Sequence, residues 1–103
     1  DTVRRYNKRT KFWFTETGAL ASFGRSFPYS ESRQASRIKN MFTFASRYKS
    51  KGVERVYSYN FFGIENGTSC AGTCRFDAGL VDPDGTPRPV FTTFKQKAAN
   101  YSR

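Results

Sequence analysis

The stretch from Lys11 to Gly18 (Lys-Phe-Trp-Phe-Thr-Glu-Thr-Gly) constrains the fold more than any other part of this chain. A short run rich in Phe, Trp and Thr, without proline, predicts a strand at about residues 11–16, because it is too short for a buried helix. Strand alternation places Glu16 on a face with phenylalanines, where a carboxylate is costly to bury without a partner. At the carboxyl end of a parallel strand, Glu16 would instead lie where α/β folds hold their chemistry. A strand-end salt bridge is the structural alternative.

The length and the apolar composition bear on domain organisation. At 103 residues the chain is at most one domain, and we treat 1–103 as a single segment. It has eleven Phe and six Tyr but only two Leu and two Ile, whereas aliphatic residues usually dominate a small interior. This imbalance favours a piece of a larger protein whose aromatic faces meet a missing partner. No run approaches the length of a membrane span, so no membrane partner is expected.

The charge is strongly basic, with eighteen Lys and Arg against eight acids and a net charge of +10. Such an excess of positive charge attracts polyanions. Many of the basic residues, however, fall on the predicted exteriors of helices, which favours a solvated basic surface. A basic, aromatic nucleic-acid-binding module is the alternative, because single-strand platforms interleave positive charge with Phe and Tyr. The sequence lacks an RNP pattern and a zinc knuckle, so we expect no specific nucleic-acid partner.

The two cysteines, Cys70 and Cys74, are separated by three residues. A metal site needs about four ligands, and the chain has no histidine to complete a mixed set. A redox pair normally has two intervening residues. A small disulfide-closed loop is favoured, which indicates an oxidising setting, and two free thiols are the alternative. We expect no metal and no cofactor.

The remaining elements alternate between helix and strand. Ser30 caps a helix predicted at about residues 31–51, whose apolar residues recur at helical spacing. A run rich in Val and Tyr predicts a second strand at about 53–62. Pro89 can open a final helix at 89–101. Strands that alternate with helices predict an α/β chain of parallel βα units.

Four runs, together with their spacing, carry a resemblance to a known family. They are Phe-Trp-Phe-Thr-Glu-Thr-Gly, Ser-Phe-Pro-Tyr-Ser-Glu before a helix, Val-Tyr-Ser-Tyr-Asn-Phe-Phe-Gly and Phe-Asp-Ala-Gly-Leu-Val-Asp-Pro-Asp-Gly-Thr-Pro-Arg-Pro. From about residue 10 to residue 99 the chain resembles the C-terminal part of the clan A retaining (β/α)₈-barrel glycoside hydrolases, of the cellulase-like and xylosidase-like, secreted bacterial type. The resemblance implies a partial TIM barrel made of the last two βα units, and a chain that is a C-terminal fragment of that catalytic domain.

The same resemblance implies a function and its residues. The activity would be hydrolysis of O-glycosidic bonds in a β-linked glycan by a retaining double displacement, with Glu16 as the nucleophile. Phe61 matches the aromatic residue that forms the floor of the sugar subsite in such enzymes. Tyr59 and Asn60 are the other expected substrate-binding residues. Tyr59 could donate a hydrogen bond to Glu16, and filling the barrel interior is its alternative role.

The second carboxylate of such an enzyme is not found in this chain. In the family the acid/base lies in an Asn-Glu pair, which is absent here, and Glu31, Glu54 and Glu65 are poorly placed to replace it. The chain is therefore expected to supply the nucleophile only, and to be inactive alone. Its partners would be a carbohydrate substrate and the remainder of the barrel, in a secreted protein. A non-catalytic, carbohydrate-binding barrel relative is the alternative.

Overall fold

The computed structural model describes residues 2–64 and 76–101, which form two small sheets and two long helices. In chain order the elements are α1 (Thr2–Tyr6), β1 (Phe12–Thr17), β2 (Ser22–Phe23), α2 (Glu31–Arg47), a 3₁₀ turn (Lys49–Lys51), β3 (Val53–Ser58), β4 (Phe76–Asp77) and α3 (Pro89–Tyr101). β1 and β3 pair in parallel, and β2 and β4 pair antiparallel. Within these ranges no helix has both the length and the apolar character that crossing a membrane requires.

The predicted partial TIM barrel is wrong. The chain is a small α/β domain in which one parallel pair and one separate antiparallel pair of strands accompany the helices. The prediction failed because alternation of strands and helices reports only local order along the chain. The antiparallel pair is made of two-residue strands, and strands that short carry no periodic signal.

α2 begins as expected and ends four residues before the predicted boundary. The Ser30 hydroxyl accepts a hydrogen bond from the Arg33 backbone N–H at 3.3 Å, and Glu31 lies in the first turn, where the helix dipole favours negative charge. Beyond Arg47 the chain tightens into the 3₁₀ turn. It then turns away at Gly52, whose φ of 105° is a left-handed value that suits glycine.

The core lies where α2 packs against α3. Ile38 and Val90 are fully buried there, together with Leu80, which lies in the loop between β4 and α3. The Phe42 ring lies between those of Phe94 and Tyr101, with centroids 5.5 Å and 6.1 Å away. The two helices therefore form one layer, and the helical spacing of their apolar residues explains why they meet.

β3 ends at Ser58, four residues before the predicted strand end. The backbone beyond it leaves the parallel sheet and bonds with the segment that follows β4 instead. The Asn60 N–H donates to the Ala78 carbonyl at 3.3 Å, and the Gly63 N–H donates to the Val81 carbonyl at 2.7 Å. Since each backbone amide has one proton to donate, these bonds exclude further pairing of those two amides with the parallel sheet.

A buried ion pair fastens β4 to the start of α3. Arg88 is 1% exposed and donates to both carboxylate oxygens of Asp77, at 2.8 Å and 2.9 Å. It also donates to Asp82 at 2.8 Å and to the Gly79 carbonyl at 3.1 Å. Burial by itself would lower the pKa of Arg88, but the hydrogen bonds with Asp77 and Asp82 outweigh it and raise that pKa above its usual range. The guanidinium leaves no room for a side chain at Gly63, so it also fixes the loop after β3.

Candidate functional site

The pairing of β1 with β3 is irregular at the carboxyl end of β1. Phe14 pairs with Val56. Three residues later Thr17 pairs with Ser58, which is only two residues further along β3, so positions 15 and 16 together lie opposite one residue. Such a bulge re-aims side chains and interrupts strict alternation. Glu16 consequently lies at an exposed bulge, and position 15 beside it is exposed as well.

Glu16 differs from the other acidic residues of the described ranges in having no polar partner there. The other five all have one. Glu31 accepts from the Tyr29 hydroxyl, Glu54 from the Trp13 indole, Asp77 and Asp82 from Arg88, and Asp84 from the Thr86 backbone N–H. No hydrogen bond or ion pair joins the Glu16 carboxylate to another described residue. The strand-end salt bridge that was the structural alternative is thus absent from this part of the chain.

Tyr59 lies next to the end of β1. Its backbone N–H donates to the Thr17 carbonyl. A Cβ atom at Gly18 would overlap the Tyr59 carbonyl oxygen, so the two segments can approach this closely only because position 18 is glycine. The carboxylate of Glu16 and the ring of Tyr59 therefore stand on adjoining, closely packed stretches of backbone.

Three exposed aromatic rings continue from this point across the antiparallel pair. Tyr59 lies 5.6 Å from Phe76 between ring centroids, and Phe76 lies 6.3 Å from Phe23. These side chains are 45%, 44% and 53% exposed, in that order. We call Phe23, Phe76 and Tyr59 the ring row.

The side chains of Phe61 and Asn60 make contacts outside the ring row. The Phe61 ring packs against Phe62 at 5.0 Å and against Phe91 of α3 at 6.3 Å. The Asn60 side-chain amide donates to the Phe62 carbonyl at 2.8 Å, which holds the loop after β3. Of the sequence-predicted residues, the structure places Glu16 and Tyr59 on adjoining segments, and it places Phe61 with α3 instead of with the ring row.

The predicted disulfide partners, Cys70 and Cys74, lie outside the described residues.

No protein-family model matches this chain, and no curated protein or solved structure matches it either. The chemistry of the site is therefore inferred from its own residues. These are a carboxylate able to act as a nucleophile or a base, and aromatic faces able to pack on an apolar surface.

Two members of the ring row, Phe23 and Phe76, were not predicted from the sequence. Each belongs to a two-residue strand, and the two residues pair directly across the antiparallel ladder. A single Phe beside polar residues gives no periodic signal. The available hint was an excess of Phe over the few positions that the predicted helices and strands could bury.

Many basic side chains are engaged with aromatic rings elsewhere. The guanidinium of Arg33 lies 3.7 Å from the Phe27 ring centroid, and that of Arg55 lies 4.7 Å from the Trp13 ring centroid. A hydrogen bond with the Tyr57 hydroxyl is the main cause that raises the pKa of Arg55. Within the described ranges, no Lys or Arg lies over a ring of the ring row.

Two open grooves of the described surface are lined by residues other than Glu16. One, of about 440 Å³, is lined by apolar side chains that include Phe12, Phe14, Phe44 and Tyr48, where β1 faces the end of α2. Another, of about 490 Å³, lies between β3 and α3. Glu16 stands on open surface instead, so a substrate would need further polypeptide to enclose it there.

Proposed function

We propose that this chain belongs to a glycoside hydrolase acting on a β-linked glycan, in which Glu16 is the nucleophile of a retaining double displacement. The observation that carries the proposal is the state of Glu16. It is the acidic residue without a polar partner among those described, it is exposed, and it stands on a bulge at the carboxyl end of a parallel strand. Bulges recur beside active sites, and the carboxyl ends of parallel strands are where α/β proteins bind ligands.

The proposed chemistry has two steps. A carboxylate oxygen of Glu16 attacks the anomeric carbon and forms a glycosyl ester, while the bond to the leaving oxygen breaks and that oxygen takes a proton from an acid. Water then attacks the same carbon and gives its proton to the resulting base, which frees the sugar and restores the Glu16 carboxylate. An exposed carboxylate without a competing hydrogen bond suits this role, because nothing within the described part of the chain has to be displaced before it attacks.

The second carboxyl group has to come from polypeptide outside the described residues. In a retaining enzyme the two carboxyl groups lie about 5–5.5 Å apart. The other five described acids are already engaged, most firmly Asp77 in its buried pair with Arg88. Because the described acids are engaged and the sequence position of Glu65 is a poor match for the acid/base, we expect the 103-residue chain alone not to hydrolyse glycosides whose leaving group needs protonation.

The decisive experiment uses a substrate that needs no acid. The probes are fluorinated β-glycosides with a dinitrophenolate leaving group, prepared as a panel of different sugars. The leaving group departs without a proton, so the glycosyl ester can form without an acid. The fluorine slows hydrolysis of that ester, so the labelled protein accumulates. We expect mass spectrometry of the digested protein to find one sugar on the peptide that contains Glu16. In Glu16→Gln the label should be absent.

Glu54→Gln is the matched control, since Glu54 is also an exposed carboxylate of the parallel sheet. It should label like the unmodified chain. Label on another residue, or none from any sugar of the panel, would overturn the assignment of Glu16.

Carbohydrate binding without hydrolysis is the second candidate. It is favoured by the absence, within the described residues, of an unengaged partner acid for Glu16. If the protein binds glycans but forms no glycosyl ester with any of the fluorinated glycosides, carbohydrate binding without hydrolysis is the function.

A further inference from the structure

Of the ring row, only Tyr59 was among the substrate-binding residues that the sequence suggested. The three side chains of the row come from three separate segments: Phe23 from β2, Phe76 from β4 and Tyr59 from the turn after β3. All three remain about half exposed, although each ring touches its neighbour. Contiguous aromatic surface that stays in contact with water generally marks an interaction site.

The row is held in place by backbone pairing and by a buried ion pair. Phe23 and Phe76 face each other across the antiparallel ladder. Asp77, directly after Phe76, is fixed by Arg88 through two hydrogen bonds, of 2.8 Å and 2.9 Å. Because the rings stand on a fixed framework, a ligand would find them already arranged, which reduces the entropy lost on binding.

The faces of these rings distinguish between kinds of ligand. Five other aromatic rings have a Lys or Arg over them, whereas no Lys or Arg within residues 2–64 and 76–101 lies over a ring of the ring row. A strand of nucleic acid requires positive charge beside the stacking rings. A neutral sugar requires only an apolar face, since the C–H groups on one side of a pyranose can pack on an aromatic ring.

We propose that the ring row binds the chain of a neutral β-linked polysaccharide at a distance from the bond attacked by Glu16. This rests on the proposed function and adds to it the substrate class, a polymer instead of a short glycoside. The centroid separations of 5.6 Å and 6.3 Å are comparable to the size of a pyranose ring, so successive sugars can meet successive rings. The rings are inclined to each other by 41° and 64°, so they present differently oriented apolar surfaces along the row.

The three rings of the ring row follow one another in a fixed order from the end of β1, where Glu16 lies. Tyr59 is the member next to the end of β1, and Phe23 is the member furthest along the row from it. A glycan whose scissile bond lies at Glu16 would therefore cross Tyr59 first, and only a chain of several units would reach Phe23. Affinity should consequently rise with chain length.

The test is calorimetric titration of neutral β-linked oligosaccharides of increasing length into the 103-residue chain and its variants. We expect affinity to rise from disaccharide to longer chains. Phe76→Ala, at the centre of the row, should lower affinity for the longer chains about tenfold, or about 1.4 kcal/mol. The matched control is Tyr6→Ala, since Tyr6 is 88% exposed and lies in α1, outside the row; it should bind like the unmodified chain.

The outcomes separate this inference from the proposed function. Glu16→Gln should keep its affinity for long chains while it loses the covalent label. If Glu16 is labelled but no oligosaccharide binds more tightly as it lengthens, the ring row is not a glycan surface and the nucleophile stands. If long chains bind but Glu16 is not labelled, the proposed hydrolysis fails.

Two further results would also overturn the inference. The first is unchanged affinity in Phe76→Ala, or, should circular dichroism show that variant unfolded, in Phe23→Ala. The second is binding of a single-stranded oligonucleotide that falls steeply with salt and is lost in the same variant, which would assign the row to nucleic acid.

Discussion

Two regions of this molecule place a carboxylate in opposite environments. At the end of β4, Asp77 is 2% exposed and both of its oxygens accept hydrogen bonds from Arg88. At the end of β1, Glu16 is exposed and has no polar partner among the described residues. The first carboxylate joins chain segments together, because its charge is neutralised where no water reaches it. The second has no structural task within this part of the chain, and it therefore remains available for chemistry.

The surroundings of the two residues sharpen this difference. The Asp77 region is packed so closely that a Cβ at Gly63 would overlap Arg88, and one at Gly79 would overlap the Gly63 backbone. Near Glu16 the backbone is also packed closely, at Gly18, but the carboxylate projects from a bulge into solvent. A reactive group needs this combination, since a fixed backbone sets its position while the side chain stays unengaged.

The largest effect is expected from breaking the buried pair. Arg88→Ala leaves the Asp77 carboxylate buried without its counter-charge and removes the support beneath the loop after β3. We expect the free energy of unfolding to fall by about 3–5 kcal/mol. Urea unfolding followed by circular dichroism measures it.

Arg37→Ala is the control for that variant, because Arg37 is exposed on α2. It should change stability by no more than about 0.5 kcal/mol. Equal effects of the two substitutions would mean that the buried pair is not a structural fastening, and the comparison with Glu16 would lose its basis.

Asp84 is intermediate between Asp77 and Glu16, since it is exposed but hydrogen-bonded. We expect its replacement to change the free energy of unfolding less than Arg88→Ala does, and in a way that depends on pH. Asp84 is exposed, yet it accepts a hydrogen bond from the Thr86 backbone N–H at 2.9 Å, and this bond lowers its pKa below the usual 3.8. A carboxyl group whose pKa is lower in the folded state stabilises the fold above its unfolded pKa. That contribution is lost as the pH falls through the lower, folded value.

Replacing Asp84 should therefore change how the free energy of unfolding depends on pH in the acidic range only. In Asp84→Ala, the unfolding free energy should depend less on pH below about pH 4 than in the unmodified chain. The measurement is urea unfolding at a series of acidic pH values. A variant that follows the unmodified profile throughout the acid range would show that the Thr86 bond does not contribute.

The sequence predicted helices and the parallel pair of strands because their signals are local. α3 begins at Pro89 and ends at Tyr101 as expected, and Ser30 does precede α2. Helix caps and apolar spacing depend on a few adjacent residues, which is why they can be read without a structure. How the elements assemble does not follow from such signals, and the predicted barrel arrangement was wrong for that reason.

The site was only partly predictable on the same grounds. The position of Glu16 after an aromatic run was visible in the sequence, but its bulge depends on the register with β3, which is set between residues far apart in the chain. The partnership of Phe23 with Phe76 likewise joins positions that no local pattern connects. The engagement of Asp77 by Arg88 was missed entirely, because one Asp and one Arg in a loop do not show that they are buried.

The smallest effect on stability is expected from Glu16→Gln, and it completes the comparison. The substitution preserves shape and removes the charge, and no described residue loses a hydrogen bond or ion pair as a result. The unfolding free energy should stay within about 0.5 kcal/mol of the unmodified value. Asp77→Asn, the same change of carboxylate to amide, should by contrast destabilise strongly, because it leaves the buried Arg88 charge with only the partly exposed Asp82 carboxylate to neutralise it. Urea unfolding of the two variants side by side provides the measurement. If Glu16→Gln proved as destabilising as Asp77→Asn, the Glu16 carboxylate would hold the fold together, and its loss could no longer be read as the loss of a nucleophile.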